Sequence, residues 1–227
     1  MDLELAVLVG WGKVLSVEEP TQQYMAHPNG KTAGILFFIA STQFVLGLIV
    51  AEALYPGYSI SGNYISDLGV GPSSAIFNSS IFLLGLLSIF GAYFLPRNIT
   101  FRALAVLVAL MAIGAMGAGV FTKNFAGVHG AVSSMAFMFG GLSAIVSSKV
   151  LRMPLSAMSV ILGLMSLAAL ALFACGLLAN GIFASIEAQD SVFFLGIGPG
   201  GMERMIVYPA LIWLAGLSGH LIALSEK

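Results

Sequence analysis

The stretch from Ala33 to Leu54 reads AGILFFIASTQFVLGLIVAEAL, and Glu52 is its only charged residue. A helix rises 1.5 Å per residue and a hydrocarbon core is about 30 Å thick, so a run of this length and polarity crosses a bilayer. Five further runs qualify on the same grounds: Ala75 to Leu95, Ala103 to Phe121, Val128 to Val146, Leu155 to Leu178 and Met205 to Leu224. Turn-forming residues separate them, among them Pro56-Gly57, Gly71-Pro72, Pro96-Arg97-Asn98, Arg152-Met153-Pro154 and Gly198-Pro199-Gly200-Gly201. The predicted fold class is therefore all-α: a polytopic membrane bundle of six transmembrane helices, with residues 33–227 as one domain. Leu3 to Leu15 is too short to cross, and Val192 to Ile197 is expected at most to dip into the interface or re-enter.

Composition carries the same message over the whole chain. Of 227 residues, 59% are hydrophobic and 8% charged, against roughly 25% charged in a soluble domain. Nine Lys and Arg against ten Asp and Glu leave no basic footprint for nucleic acid. Cys175 is the single cysteine, which excludes an intramolecular disulfide and a thiolate cluster. The expected location is the cell membrane.

Orientation follows from Lys and Arg, which are enriched in cytoplasmic loops. One side holds Lys13, Lys31, Arg97, Arg102, Lys149, Arg152 and Lys227, and the other only Lys123 and Arg204. Both termini are accordingly expected in the cytoplasm. Residues 1–32 read as a cytoplasmic extension, with Met25 as an alternative start. Glu52, Asp67, Glu187, Asp190 and Glu203 all fall on the outward side or at its boundary.

With charge so scarce, the position of each charged residue is the main functional signal. Three outward features stand out: Gly62-Asn63-Tyr64-Ile65-Ser66-Asp67-Leu68-Gly69, then Gly119-Val120-Phe121-Thr122-Lys123-Asn124 with Val128-His129-Gly130, and Gly201-Met202-Glu203-Arg204. Asp67, His129, Glu203 and Ser66 are the candidate catalytic residues. Arg204, Asn63, Asn78 and Tyr208 are candidate substrate contacts. Each has a plainer role as well. An Asp between glycines closes turns or caps helices, Glu203 and Arg204 can neutralise one another at a span mouth, and Asn78 and Gln43 suit interhelical hydrogen bonds.

These residue types could serve metal, nucleophilic or acid/base chemistry. A three-histidine zinc site is disfavoured because His27 and His220 fall on the inner side, His220 lying fifteen residues beyond Met205. Asp67, His129 and Glu203 would suit several divalent ions as one imidazole with two carboxylates, but no metal and no other cofactor is predicted. Nucleophilic catalysis by Ser66 requires His129 to approach it, with Asp67 or Glu203 orienting the ring. Alternatively, Asp67 and His129 form an acid/base pair while Arg204 grips a phosphate or carboxylate headgroup bidentately.

Gly114 with Ala118 and Ala115 with Gly119 are small-xxx-small pairs that allow close helix packing, with a neighbouring helix, a second copy or another membrane protein. Pro209 is placed to kink the last span.

The string Asn63 to Gly69, followed by Ala75-Ile76-Phe77-Asn78, Gly119-Val120-Phe121, His129, Glu203-Arg204, Tyr208-Pro209 and Trp213, resembles the DUF998 family of polytopic membrane proteins. The likeness covers nearly everything after residue 32. A more distant similarity reaches the Frag/DRAM/Sfk proteins, one branch of which remodels GPI-anchor lipids. The resemblance implies about six spans and roles for Ser66, Asp67 and His129, and more weakly for Glu203. The chain departs from the pattern at Phe121-Thr122-Lys123, where a Phe-Pro-acid stretch is expected. The reading that results is a membrane protein with an outward polar site for a lipid headgroup, acting as a hydrolase or transferase where it does chemistry. A small-solute transporter, a channel-like protein and a structural subunit are the alternatives. Transport requires a polar path, for which Gln43, Asn78, Ser79, Ser80, Ser133 and Ser134 are the available residues.

Overall fold

A computed structural model describes residues 28–180 and 191–225. It is all-helical among these residues, with six helices long and apolar enough to cross a membrane. These are α1 (Pro28–Ala53), α2 (Ser74–Tyr93), α3 (Ile99–Val120), α4 (Ala126–Ser147), α5 (Leu155–Asn180) and α6 (Gly198–Leu224). The extension expected before the first span lies outside the described residues up to 27, as do His27, Glu187, Asp190 and Lys227. Residues 28–32, placed in that extension by sequence, form the first turn of α1; proline suits this position because its missing N–H has no partner to lose.

α6 departs furthest from expectation, starting seven residues before Met205, at Gly198. Gly198-Pro199-Gly200-Gly201, read as punctuation, is its first turn. The helix also runs through Pro209, which is buried. Glu203 and Arg204 consequently sit inside the helix rather than at a span mouth. Val192–Phe194 forms one 3-10 turn with Phe194 buried, and does not re-enter the bundle as a span.

The short connections α2–α3, α3–α4 and α4–α5 make consecutive helices neighbours. Each helix packs on the next, α6 closes back on α1, and α4 also meets α6 across the ring. Small residues set the closest approaches. A Cβ on Gly114 of α3 would lie 2.7 Å from the carbonyl oxygen of Val132 on α4, and one on Gly119 would lie 2.8 Å from that of Asn78 on α2. The small-xxx-small faces thus serve packing inside the bundle.

Polar ties sit within this apolar frame, where hydrogen-bonding water is scarce. Gln43 Nε2 on α1 donates to Ser80 O on α2 at 2.9 Å. Trp213 Nε1 on α6 donates to Ser147 Oγ on α4 at 2.7 Å, and Ser166 Oγ on α5 donates to Ile206 O on α6 at 2.8 Å. Outward-turned side chains such as Phe38, Leu46, Ile113 and Ile161 are exposed. Helices apolar on every face suit a hydrocarbon surround.

Candidate functional site

One end of the ring gathers the α1–α2 connection, the α3–α4 corner and the start of α6. The connection is held by its own side chains. In the 3-10 turn Ile65–Gly69, the Asp67 carboxylate accepts from the backbone N–H of Tyr64 at 2.9 Å, and Asn63 Oδ1 accepts from Ser59 N at 2.9 Å. Asn78 Nδ2 on α2 donates to Gly69 O at 2.9 Å, fastening the turn to the bundle.

Lys123 reaches across from the α3–α4 corner. Its ammonium pairs with Asp67 and lies 4.2 Å from the Tyr64 ring centroid. The base that departs from the expected Phe-Pro-acid pattern therefore meets the acid of the other loop. Burial, with Glu203 and Asp67 nearby, raises the Tyr64 hydroxyl pKa, so the ring remains a neutral platform beneath the cation. Because Lys123 is 38% exposed, Lys123→Ala is expected to cost about 1 kcal/mol or less. Thermal unfolding of the detergent-solubilised protein checks this.

Arg204 is buried beneath the same connection. Its Nη1 donates to Ile60 O and to Gly200 O, each at 2.9 Å, and Nη2 to Glu52 Oε1 at 2.6 Å and Tyr58 Oη at 2.7 Å. The Tyr58 hydroxyl in turn donates to Tyr64 O at 3.0 Å. Burial pushes that hydroxyl up to about 12, so it is a neutral donor throughout the physiological range. Arg204 and Glu203 do not neutralise one another, since the arginine's carboxylate partner is Glu52 from α1. With a longer contact from Nη1 to Asn63 O at 3.5 Å, all five Nη contacts go to protein acceptors, which makes Arg204 a clamp on the α1–α2 connection instead of a headgroup ligand.

Glu203 points inward. Its Oε2 accepts from the backbone N–H of Ile65 at 2.5 Å, and it has no ion-pair partner among the described residues. It lines a cavity of about 80 Å³ at the centre of the ring, together with Ser66, His129 and Ser133. His129 Nδ1 lies 2.8 Å from Phe121 O, which places the proton on Nδ1 in a neutral ring and leaves Nε2 as an acceptor. Nε2 lies 3.4 Å from Ser133 Oγ.

The structure thus divides the sequence-predicted set. Ser66, His129 and Glu203 come together on one cavity. Asp67, Asn63, Asn78 and Arg204 shape the loops around it, and Asp67 is paired with Lys123 rather than with His129. Tyr208 lies off that cavity: it lines an apolar groove with residues of α1 and α6 and interacts with Arg204 and Glu52. Among the described residues no three His, Cys, Asp or Glu side chains form a metal-ligating group. Sequence reading missed Ser133 as a site residue, and Glu52 and Tyr58 as partners of Arg204. Ser133 carried a signal, lying one helical turn from His129 on the same face.

These features lie within a region, residues 38–220, that matches the family model described as a protein of unknown function (DUF998). The chain belongs to the DUF998 family. No curated protein and no solved structure matches it. In this DUF998 protein, the match covers all six helices at least in part and every candidate site residue.

Proposed function

We propose that this DUF998 protein binds the polar end of a membrane lipid at Ser66, His129, Ser133 and Glu203, with the lipid's hydrocarbon along the apolar residues that continue from them. One observation carries the reading: the polar lining is confined to these four residues, and the remainder, including Leu84, Met111, Ala136, Phe137, Ala210 and Leu214, is apolar. A few convergent polar groups at one end of an apolar lining suit the polar end of an amphiphile. The polar end lies on the side that Lys and Arg counts place outward, at headgroup depth.

The arrangement also supports proton transfer, since the His129 imidazole and the Glu203 carboxyl both face the space where the polar end would sit. The geometry favours binding over transport. The cavity continues past Ser133, yet its deeper walls offer no polar side chain, and Gln43, Asn78 and Ser80 are engaged in bonds between or within helices.

Two variants test the reading. His129→Ala removes a polar partner, and Ala210→Phe fills the cavity while leaving the polar end intact. Loss of one hydrogen bond to the headgroup corresponds to about a tenfold weaker affinity. Lipid retained by the purified protein, measured by native mass spectrometry, should fall by that order in His129→Ala and should vanish in Ala210→Phe. If both variants keep the wild-type elution profile and melting temperature yet retain lipid unchanged, the reading is wrong.

A further inference from the structure

We propose that the end of the bundle opposite Glu203 carries a second, separate site: a cleft at the α2–α3 corner that takes the phosphate head of an anionic phospholipid from the adjoining leaflet.

Charge distinguishes the two ends. The start of α1, the α2–α3 corner with the first turn of α3, and the α4–α5 corner share one end, and they carry Lys31, Arg97, Arg102, Lys149 and Arg152. The acids among the described residues, Glu52, Asp67 and Glu203, all lie at the other. A face of one sign beside a bilayer attracts anionic lipid. Topology alone accounts for such a bias, so a site needs a place where one head can be gripped.

The α2–α3 corner supplies that place. Asn29, Tyr93, Phe94, Arg97 and Asn98 line part of a cleft of about 580 Å³, which falls within the range of about 300–1,000 Å³ typical of ligand clefts. Its polar side chains, Asn29, Arg97 and Asn98, are mostly donors. Arg97 has no ion-pair partner among the described residues, and its guanidinium lies 6.0 Å from the centroid of the Tyr93 ring, a contact that orients the group without using its N–H donors. Asn98 Oδ1 is spent on the cap of α3, where it accepts from Phe101 N at 2.9 Å, so Nδ2 is the atom left to donate. A cleft with these donors and no carboxylate suits a phosphate, which a guanidinium grips with two parallel hydrogen bonds.

The surroundings of the cleft favour a lipid as the source of that phosphate. Tyr93 is 67% exposed and Ile99 81%, so the corner presents an aromatic ring and an aliphatic chain at the end of two spans, the level at which headgroups lie. Phe90, one turn deeper on α2, is exposed as well. A phospholipid held by Arg97 can lay its chains along this apolar surface, whereas a soluble phosphate ester gains nothing from it.

The experiment titrates the detergent-solubilised full chain with phosphatidylglycerol or phosphatidylcholine of the same acyl composition, with binding read by native mass spectrometry. Phosphatidylglycerol is expected to bind about tenfold more tightly, and Arg97→Ala should remove about that factor, the loss of a charge-assisted fork. Lys149→Ala lies off the cleft and should cost no more than about fivefold, the share of one cation near an anionic surface. Arg97→Lys should recover only part of the loss, since it keeps the charge without the fork. Asn98→Asp preserves the helix cap while placing an anion in the cleft, and should abolish the preference even where an Arg97 variant folds poorly. Equal affinity of wild type for the two lipids would overturn the proposal, as would equal losses in Arg97→Ala and Lys149→Ala, which would reduce the site to diffuse surface charge. Displacement of phosphatidylglycerol by an equal concentration of soluble glycerol 3-phosphate would overturn the lipid source. Each comparison is with a variant at this end of the bundle, so failure of the lipid site around Glu203 leaves the test unchanged.

Discussion

Replacing Arg204 by alanine is expected to lower the stability of the bundle by about 3–5 kcal/mol, because it leaves the carboxylate of Glu52 without its cation in a largely buried setting. The side chains are only 7% and 18% exposed, so water replaces little of what is lost. The backbone carbonyls of Ile60 and Gly200 and the hydroxyl of Tyr58 lose their donor as well. Arg204→Lys should recover only part of the loss, since a single ammonium cannot reproduce the fork that serves Glu52 and Tyr58 on one side and two carbonyls on the other. Reversible unfolding in mixed micelles measures both variants. A cycle with Glu52→Gln isolates the pair, and additive losses would show that the two residues are not coupled. Burial of the Tyr58 hydroxyl, against the opposing pull of Arg204, gives the connection a defined pH window. The fold holds the neutral hydroxyl, with its value raised from 10.0 to about 12, so this contribution is complete below about 10 and disappears as pH rises through about 12.

Gly200→Val should be nearly as damaging, by a different route. A Cβ at this position would lie 2.5 Å from Ile60 O and closer still to Asn63 O. These are backbone atoms held by Arg204 and by the bond from Gly200 N to Ser61 O at 2.9 Å, so they cannot swing aside. Overpacking costs about 1–3 kcal/mol where side chains can adjust, and the upper part of that range or more is expected here. Since the same carbonyls accept from Arg204, Gly200→Val combined with Arg204→Ala should lose less than the sum of the two. A double variant with strictly additive loss would refute the shared cradle.

The bundle was legible in the sequence because apolar run length is almost sufficient to define a membrane span. Boundaries failed where one residue type serves two purposes. Gly198-Pro199-Gly200-Gly201 has the composition of a loop, but proline is well placed in a first helical turn, and the glycines admit the docked α1–α2 connection. The site was half legible. Ser66, His129 and Glu203 could be placed at one level by counting spans, and they share a cavity. Pairing could not be read, because Glu52 and Arg204 are 152 positions apart and nothing local links them. Asp67 shows how an ordinary structural role can hide in a suggestive motif: an acid three positions after Tyr64 has a backbone N–H within reach before any ligand arrives. Lys123 was conspicuous as one of two outward bases and as a departure from a familial pattern, but its pairing with Asp67 could not be read from either.

The ring of helices closes between its first and last members, which carries a consequence for biogenesis. A chain threaded into the bilayer from its N-terminus would assemble α1 to α5 by pairing each helix with its predecessor, a route requiring few long-range encounters. Glu52 would wait at the end of α1 without its counter-ion until α6 arrived with Arg204, and Glu203 would complete the cavity in the same step. Completion of the cavity and pairing of the Glu52 carboxylate thereby depend on the same event, the arrival of α6.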